Sequence, residues 1–143
     1  MLMYLLTRMC SEYTHDNIML GIFSSQELAE QARERYISET KDNDPHKHQA
    51  YMKVCLEIDV VIDPLDEYTD SINGETVYIL NEQVEGFGQI SREILKVSTS
   101  LEDILDFAKS KPIDPNGFPM CCYVYNTLLV DRLYYENEDT YVD

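Results

Sequence analysis

Apolar and polar positions alternate along the chain in short runs, and those runs predict the elements. Leu2 to Met9 is apolar and rich in strand-forming side chains, and Ile18 to Phe23 is a second apolar run beyond the polar stretch Ser11 to Asn17, so two strands are expected. A helix start follows. Ser24 is placed as N-cap, Glu27 as its capping-box partner, and Phe23 and Leu28 at the two staple positions. From about Ser25 to Ile37, Leu28, Ala29, Ala32 and Tyr36 recur at helical spacing while Glu30, Arg33 and Glu34 fall opposite, which predicts a helix with one apolar stripe. Tyr51 to Ile62 then alternates. Met52, Val54, Leu56, Ile58, Val60 and Ile62 share one face and Lys53, Glu57 and Asp59 the other, the pattern of a strand wetted on one side, and Asp63-Pro64 ends it.

After the turn signal Asn73-Gly74 the order recurs. Val77 to Leu80 answers Met3 to Leu6, Ile94 to Val97 answers the second strand, and Thr99-Ser100-Leu101-Glu102 answers Ser24-Ser25-Gln26-Glu27 at an offset of 75. Leu101, Ile104, Leu105 and Ala108 form a second helical stripe, Pro112 to Pro119 interrupts it, and Met120 to Leu133 supplies a last long strand. The expectation is one α+β domain, residues 1–143, with repeat-like halves 1–66 and 72–143. Each half reads as a ββαβ unit, and the whole as mainly antiparallel sheet with two helices packed on one face, because each helix has a single apolar stripe.

The junction Gly21-Ile22-Phe23-Ser24-Ser25, followed by Glu27, Ala29 and Ala32 and then by the alternating run Tyr51 to Ile58, resembles a small uncharacterised domain family of bacteria and their phages. In that family a strand ending Gly-Val-Phe/Tyr-Ser-Ser leads into a helix with a Glu and spaced alanines. The resemblance covers about the first 62 residues. It implies a strand-to-helix fold element and carries no catalytic residues.

Composition changes the picture through charge. The formal net charge is −16, and Val54 to Ser91 contains no Lys, Arg or His but nine acids: Glu57, Asp59, Asp63, Asp66, Glu67, Asp70, Glu75, Glu82 and Glu85. Leu133 to Asp143 adds Glu136, Glu138, Asp139 and Asp143 without a base, so these two segments hold thirteen of the sixteen excess charges. Such a field repels nucleic acid and anionic membrane and attracts a basic protein surface. Acids two apart on one strand face, such as Glu57 and Asp59, stand roughly 6.6 Å apart, close to the rise of two phosphates along one DNA strand. Glu57, Asp59, Asp63, Asp66, Glu67, Asp70, Glu136, Glu138 and Asp139 are therefore the expected partner-binding residues. A plain solvated acidic surface is the competing reading.

Other chemistry finds little support in the residues. Met1 to Leu6 has no basic start and no cleavage site, and no apolar run approaches a membrane span, so a reduced cytoplasmic setting is expected, with Cys10, Cys55, Cys121 and Cys122 as buried thiols. His46 and His48 with Asp44 make an incomplete metal set, with His15 or Cys55 as distant candidates to fill it. Asp63 to Asp70 lacks the order of a calcium loop. Cys10 with His15 is the best nucleophile–base pair, and Gly86-Phe87-Gly88 reads as a tight turn. The expectation is a protein without enzymatic activity, cofactor or metal, acting as an inhibitor or nucleic-acid mimic on the basic surface of a nuclease or nucleic-acid-binding protein. The alternatives are a ligand-binding or enzymatic domain with a cleft between the repeats, and a self-assembling accessory protein pairing through the tyrosine-rich last strand.

Overall fold

Both halves of the chain build the same unit, and the correspondence reaches individual strand pairs in a computed structural model, which describes residues 2–9, 17–42, 59–65, 76–86, 89–113, 116–117 and 120–142. In the first half, β1 (Tyr4–Met9), β2 (Ile18–Phe23), α1 (Gln26–Thr40) and β3 (Asp59–Pro64) form a helix-backed antiparallel sheet of order β2-β1-β3. In the second, β4 (Thr76–Gly86), β5 (Gln89–Ser98), α2 (Leu101–Ser110) and β6 (Met120–Leu129) repeat it as β5-β4-β6, and β7 (Thr140–Tyr141) pairs with the outer side of β6. The α+β class is as expected. The strands form two sheets rather than one, each with a helix on one face.

A shared irregularity marks the repeat. Between β1 and β2 the register passes from Leu6↔Gly21 to Thr7↔Met19, leaving Leu20 unmatched; between β4 and β5 it passes from Leu80↔Lys96 to Asn81↔Ile94, leaving Leu95 unmatched. A bulge places an extra residue on one strand and so resets which side chains face which way. Leu20 packs with Leu6, Ala29, Ala32 and Tyr36 beneath α1, and Leu95 packs with Leu80, Ile104 and Ala108 beneath α2. Met19 and Ile22, like Ile94 and Val97, turn the other way, into a cluster with Met3, Leu5, Leu65, Val77, Ile79 and Leu128. That cluster draws on both halves. The layers therefore run helix, sheet, sheet, helix, and the sheet faces that carry no helix are buried against each other. Each fully buried large apolar side chain contributes roughly 1.5–3 kcal/mol relative to exposure.

The helix starts also coincide, one residue later than expected. Ser25 and Ser100 are the N-caps, their hydroxyls accepting from the backbone N–H of Leu28 and Asp103. Ser24 has another role, described below. With the cap moved, Leu28 is 39% exposed rather than a staple residue, and the buried stripe of α1 is Ala29, Ala32, Tyr36 and Thr40. The helix runs on to Thr40, past the expected Ile37. On α2, Ile104 and Ala108 are buried and Leu101 and Leu105 half-buried.

Of the expected strand Tyr51 to Ile62, residues 51–58 lie outside the described residues, and β3 continues through Asp63 to Pro64. The expected last strand, Met120 to Leu133, stops at Leu129. Beyond it the chain leaves the second sheet and runs beside β2, bridging Ile22 to Val130 in parallel.

Candidate functional site

The segment after β6 crosses from one half to the other and returns. Asp131 N–H donates to Ile22 O (2.8 Å) and Tyr134 N–H to Leu20 O (2.7 Å), so the outer edge of β2 is covered. Asp131 takes a left-handed backbone conformation (φ 63°), and its carboxylate accepts from Ser24 N–H (2.7 Å) and from the Ser24 hydroxyl (2.8 Å). Tyr134 enters the core between the sheets, its hydroxyl accepting from Leu129 N–H (3.0 Å). Leu133 and Tyr135 pack beneath α1; the Tyr135 ring stacks on Tyr36 (centroids 5.7 Å apart) and its hydroxyl bonds Glu39. Buried Arg8 donates to the Tyr36 hydroxyl (2.9 Å). Val142 then packs beneath α2 beside Tyr123.

This path decides what becomes of the acidic tail. Glu136 and Glu138 are exposed. Asp139 is not displayed in the same way: Arg92 grips its carboxylate with two N–H groups (2.6 and 3.2 Å), and Asn126 Nδ2 adds a third donor (2.8 Å). The Arg92 side chain is only 11% exposed and also donates to Gln83 (2.9 Å), whose amide donates to Glu85 (2.7 Å). Asp139 thus compensates a nearly buried guanidinium and pins the tail to the second sheet. Asp59 and Asp63 lie on β3, opposite Met9 and Leu5, with Asp63 exposed. Glu57, Asp66, Glu67 and Asp70 lie outside the described residues. The acids that are described therefore sit on two separate parts of the fold. Arg92 and Asn126, which hold Asp139, and Gln83, which holds Arg92, were missed by sequence reasoning; the signal was three polar side chains inside strand-like runs.

Among the described residues each helix is flanked by a depression. One, of about 430 Å³, lies between α2 and the β6–β7 ladder and is walled by Ala108, Pro112, Ile113, Cys121, Tyr123 and Val142. The Tyr123 hydroxyl donates to Lys111 O (2.6 Å). Burial, reinforced by Glu82, pushes the Tyr123 phenol above its ordinary range. Burial, with Glu85 second, raises the Cys122 thiol likewise. A raised thiol stays protonated at neutral pH and is a poor nucleophile. The other depression, of about 480 Å³, lies between α1 and β3. The contact between the halves, where a cleft was the alternative expectation, holds the apolar cluster around Ile22, Ile79 and Leu128.

Among the described residues no group of three His, Cys, Asp or Glu is arranged to hold a metal ion. Cys10, His15, Asp44, His46, His48 and Cys55 lie outside them, as do Phe87 and Gly88 between the paired ends Gly86 and Gln89. No helix among the described residues is long and apolar enough to cross a membrane. No protein-family model matches the chain, and no curated protein or solved structure is significantly similar to it.

Proposed function

We propose that this chain is a non-catalytic acidic binding protein that occupies a basic surface on a partner, as an inhibitor or nucleic-acid mimic would on a nuclease or nucleic-acid-binding protein. The observation that carries the reading is the charge of −16 and its concentration in two base-free segments, Val54 to Ser91 and Leu133 to Asp143. Asp63, Glu136 and Glu138 present exposed carboxylates from those segments, while Asp139 serves the fold. A field of one sign speeds encounter with an opposite surface and rejects like-charged ones, which sets on-rate and selectivity more than final affinity.

The test is capture from lysate by the wild type and by a variant carrying Asp63→Asn, Asp66→Asn, Glu67→Gln and Asp70→Asn. A basic partner retained by the wild type, lost by the variant and released at about 0.5 M salt, where screening is nearly complete beyond a few ångströms, is the expected outcome. Capture that ignores both salt and the substitutions overturns the reading.

A further inference from the structure

The halves differ at their outer edges, and the filled edge of β6 describes what the matching edge of β3 would accept. In the second sheet the outer side of β6 carries β7: Val124 pairs with Tyr141, Tyr125 with Thr140, and Val142 N–H donates to Tyr123 O (2.9 Å). Val142 then reaches under α2. The register of the halves equates Tyr78↔Thr127 with Tyr4↔Pro64, so Tyr123 and Tyr125 stand where Val60 and Ile62 stand on β3. The backbone phase agrees. Leu65 N–H donates to Met3 O (2.8 Å), which turns the odd positions of β3 toward β1 and leaves Val60, Ile62 and Pro64 facing outward. Among the described residues no strand pairs with that side. In its place lies the 480 Å³ groove, lined by Tyr4, Glu30, Arg33, Val60, Ile62 and Pro64.

We propose that the β3 edge and this groove take an extended segment of the basic partner, added as a further antiparallel strand with a small branched side chain under α1, as Val142 sits under α2. The inference rests on the acidic-binding reading for the identity of its occupant. Strand addition draws affinity from main-chain hydrogen bonds and specificity from alternate side chains. Charge decides between the candidate strands. The groove itself holds one acid and one guanidinium, Glu30 and Arg33, but the chain carries a net charge of −16, and the tail of a second copy, Asp139-Thr140-Tyr141-Val142-Asp143, would add acids to it. That tail is also engaged in its own chain, through Arg92 and β6. A lysine-flanked strand meets neither obstacle.

The test titrates the full chain with a Thr-Tyr-Val-Thr-Val peptide flanked by lysines and with the same peptide flanked by aspartates, following backbone amide NMR signals. The lysine peptide is expected to shift the Val60 and Ile62 amides and to bind at least about tenfold tighter than the aspartate peptide. Ile62→Pro, which removes an outward N–H and leaves the β1 ladder intact, and Glu30→Tyr, which fills the groove from the helix side, each weaken it by about tenfold. The Tyr variant keeps the test valid should the Pro variant not fold. Equal or tighter binding of the aspartate peptide overturns the proposal in favour of a second copy's tail, and unmoved Val60 and Ile62 amides overturn strand addition altogether. A salt-sensitive partner that binds both variants as well as wild type refutes the groove and leaves the acidic-binding reading standing. Peptide binding without any such partner does the reverse.

Discussion

β2 and β5 hold the same place in their halves yet meet opposite surroundings. Gly21 and Lys96 are the last paired residues before the same bulge, opposite Leu6 and Leu80. At β2 the 130–135 segment lies so close that a Cβ on Gly21 would stand 2.7 Å from the Arg132 carbonyl oxygen and 2.7 Å from the Phe23 ring. At β5 the equivalent residue keeps a long side chain, its ammonium over the Phe107 ring at 5.5 Å. At Gly21 the Arg132 carbonyl and the Phe23 ring occupy the space a side chain would need. At β5, an outer strand among the described residues, a lysine is favourable, since lysine on an edge strand discourages unwanted pairing. One stretch of chain, 130–142, accounts for both asymmetries: it covers β2 in the first half and, as β7, the outer side of β6 in the second.

The largest effect is expected where that stretch is anchored. Asp139→Ala leaves the Arg92 guanidinium without its counter-charge and should cost about 3 kcal/mol of unfolding free energy, measured by urea denaturation. A loss below about 0.5 kcal/mol would show that the tail is held by β7 alone. The comparison of edges is tested next. Gly21→Ala should destabilise by about 2 kcal/mol through overpacking, against less than about 0.5 kcal/mol for Lys96→Ala. Equal costs at the two positions would dissolve the distinction between covered and open edges. The smallest effects probe what the halves share: Ser25→Ala and Ser100→Ala should each cost about 1 kcal/mol as lost N-caps. An unchanged Tm for Ser25→Ala or Ser100→Ala would sink the cap assignment at that helix.

The repeat was legible because apolar runs recur in the same order and a capping motif recurs at an offset of 75. The choice between Ser24 and Ser25 was not. Both are good caps, and the decision is made by Asp131, 107 positions away, which takes the Ser24 hydroxyl for itself. The bulges were hidden for a different reason: Ile18 to Phe23 is buried throughout, so no polar residue marks where the face switches at Leu20. That the helices back two sheets was also unreadable, because a single stripe on each helix says nothing about which strands share hydrogen bonds. Of the nine acids expected to meet a partner, charge alone could not separate Asp139, whose neighbour Arg92 comes from the far end of a hairpin, from the exposed Glu136 and Glu138.

The crossing of residues 130–135 onto β2 also has a timing. Hairpins such as β4–β5 close between near neighbours, but the β2 edge waits for a segment made more than a hundred residues later, as the 107-residue span between Ser24 and Asp131 shows. At roughly 5–20 residues per second of synthesis, the interval is on the order of 5–20 s. Throughout it the nascent first half carries an unpaired strand edge of six apolar or small residues, Ile18 to Phe23. Contacts of such span slow folding, and exposed edges invite mispairing. The step that completes the first half is thus among the last, and chaperone dependence during production should concentrate there.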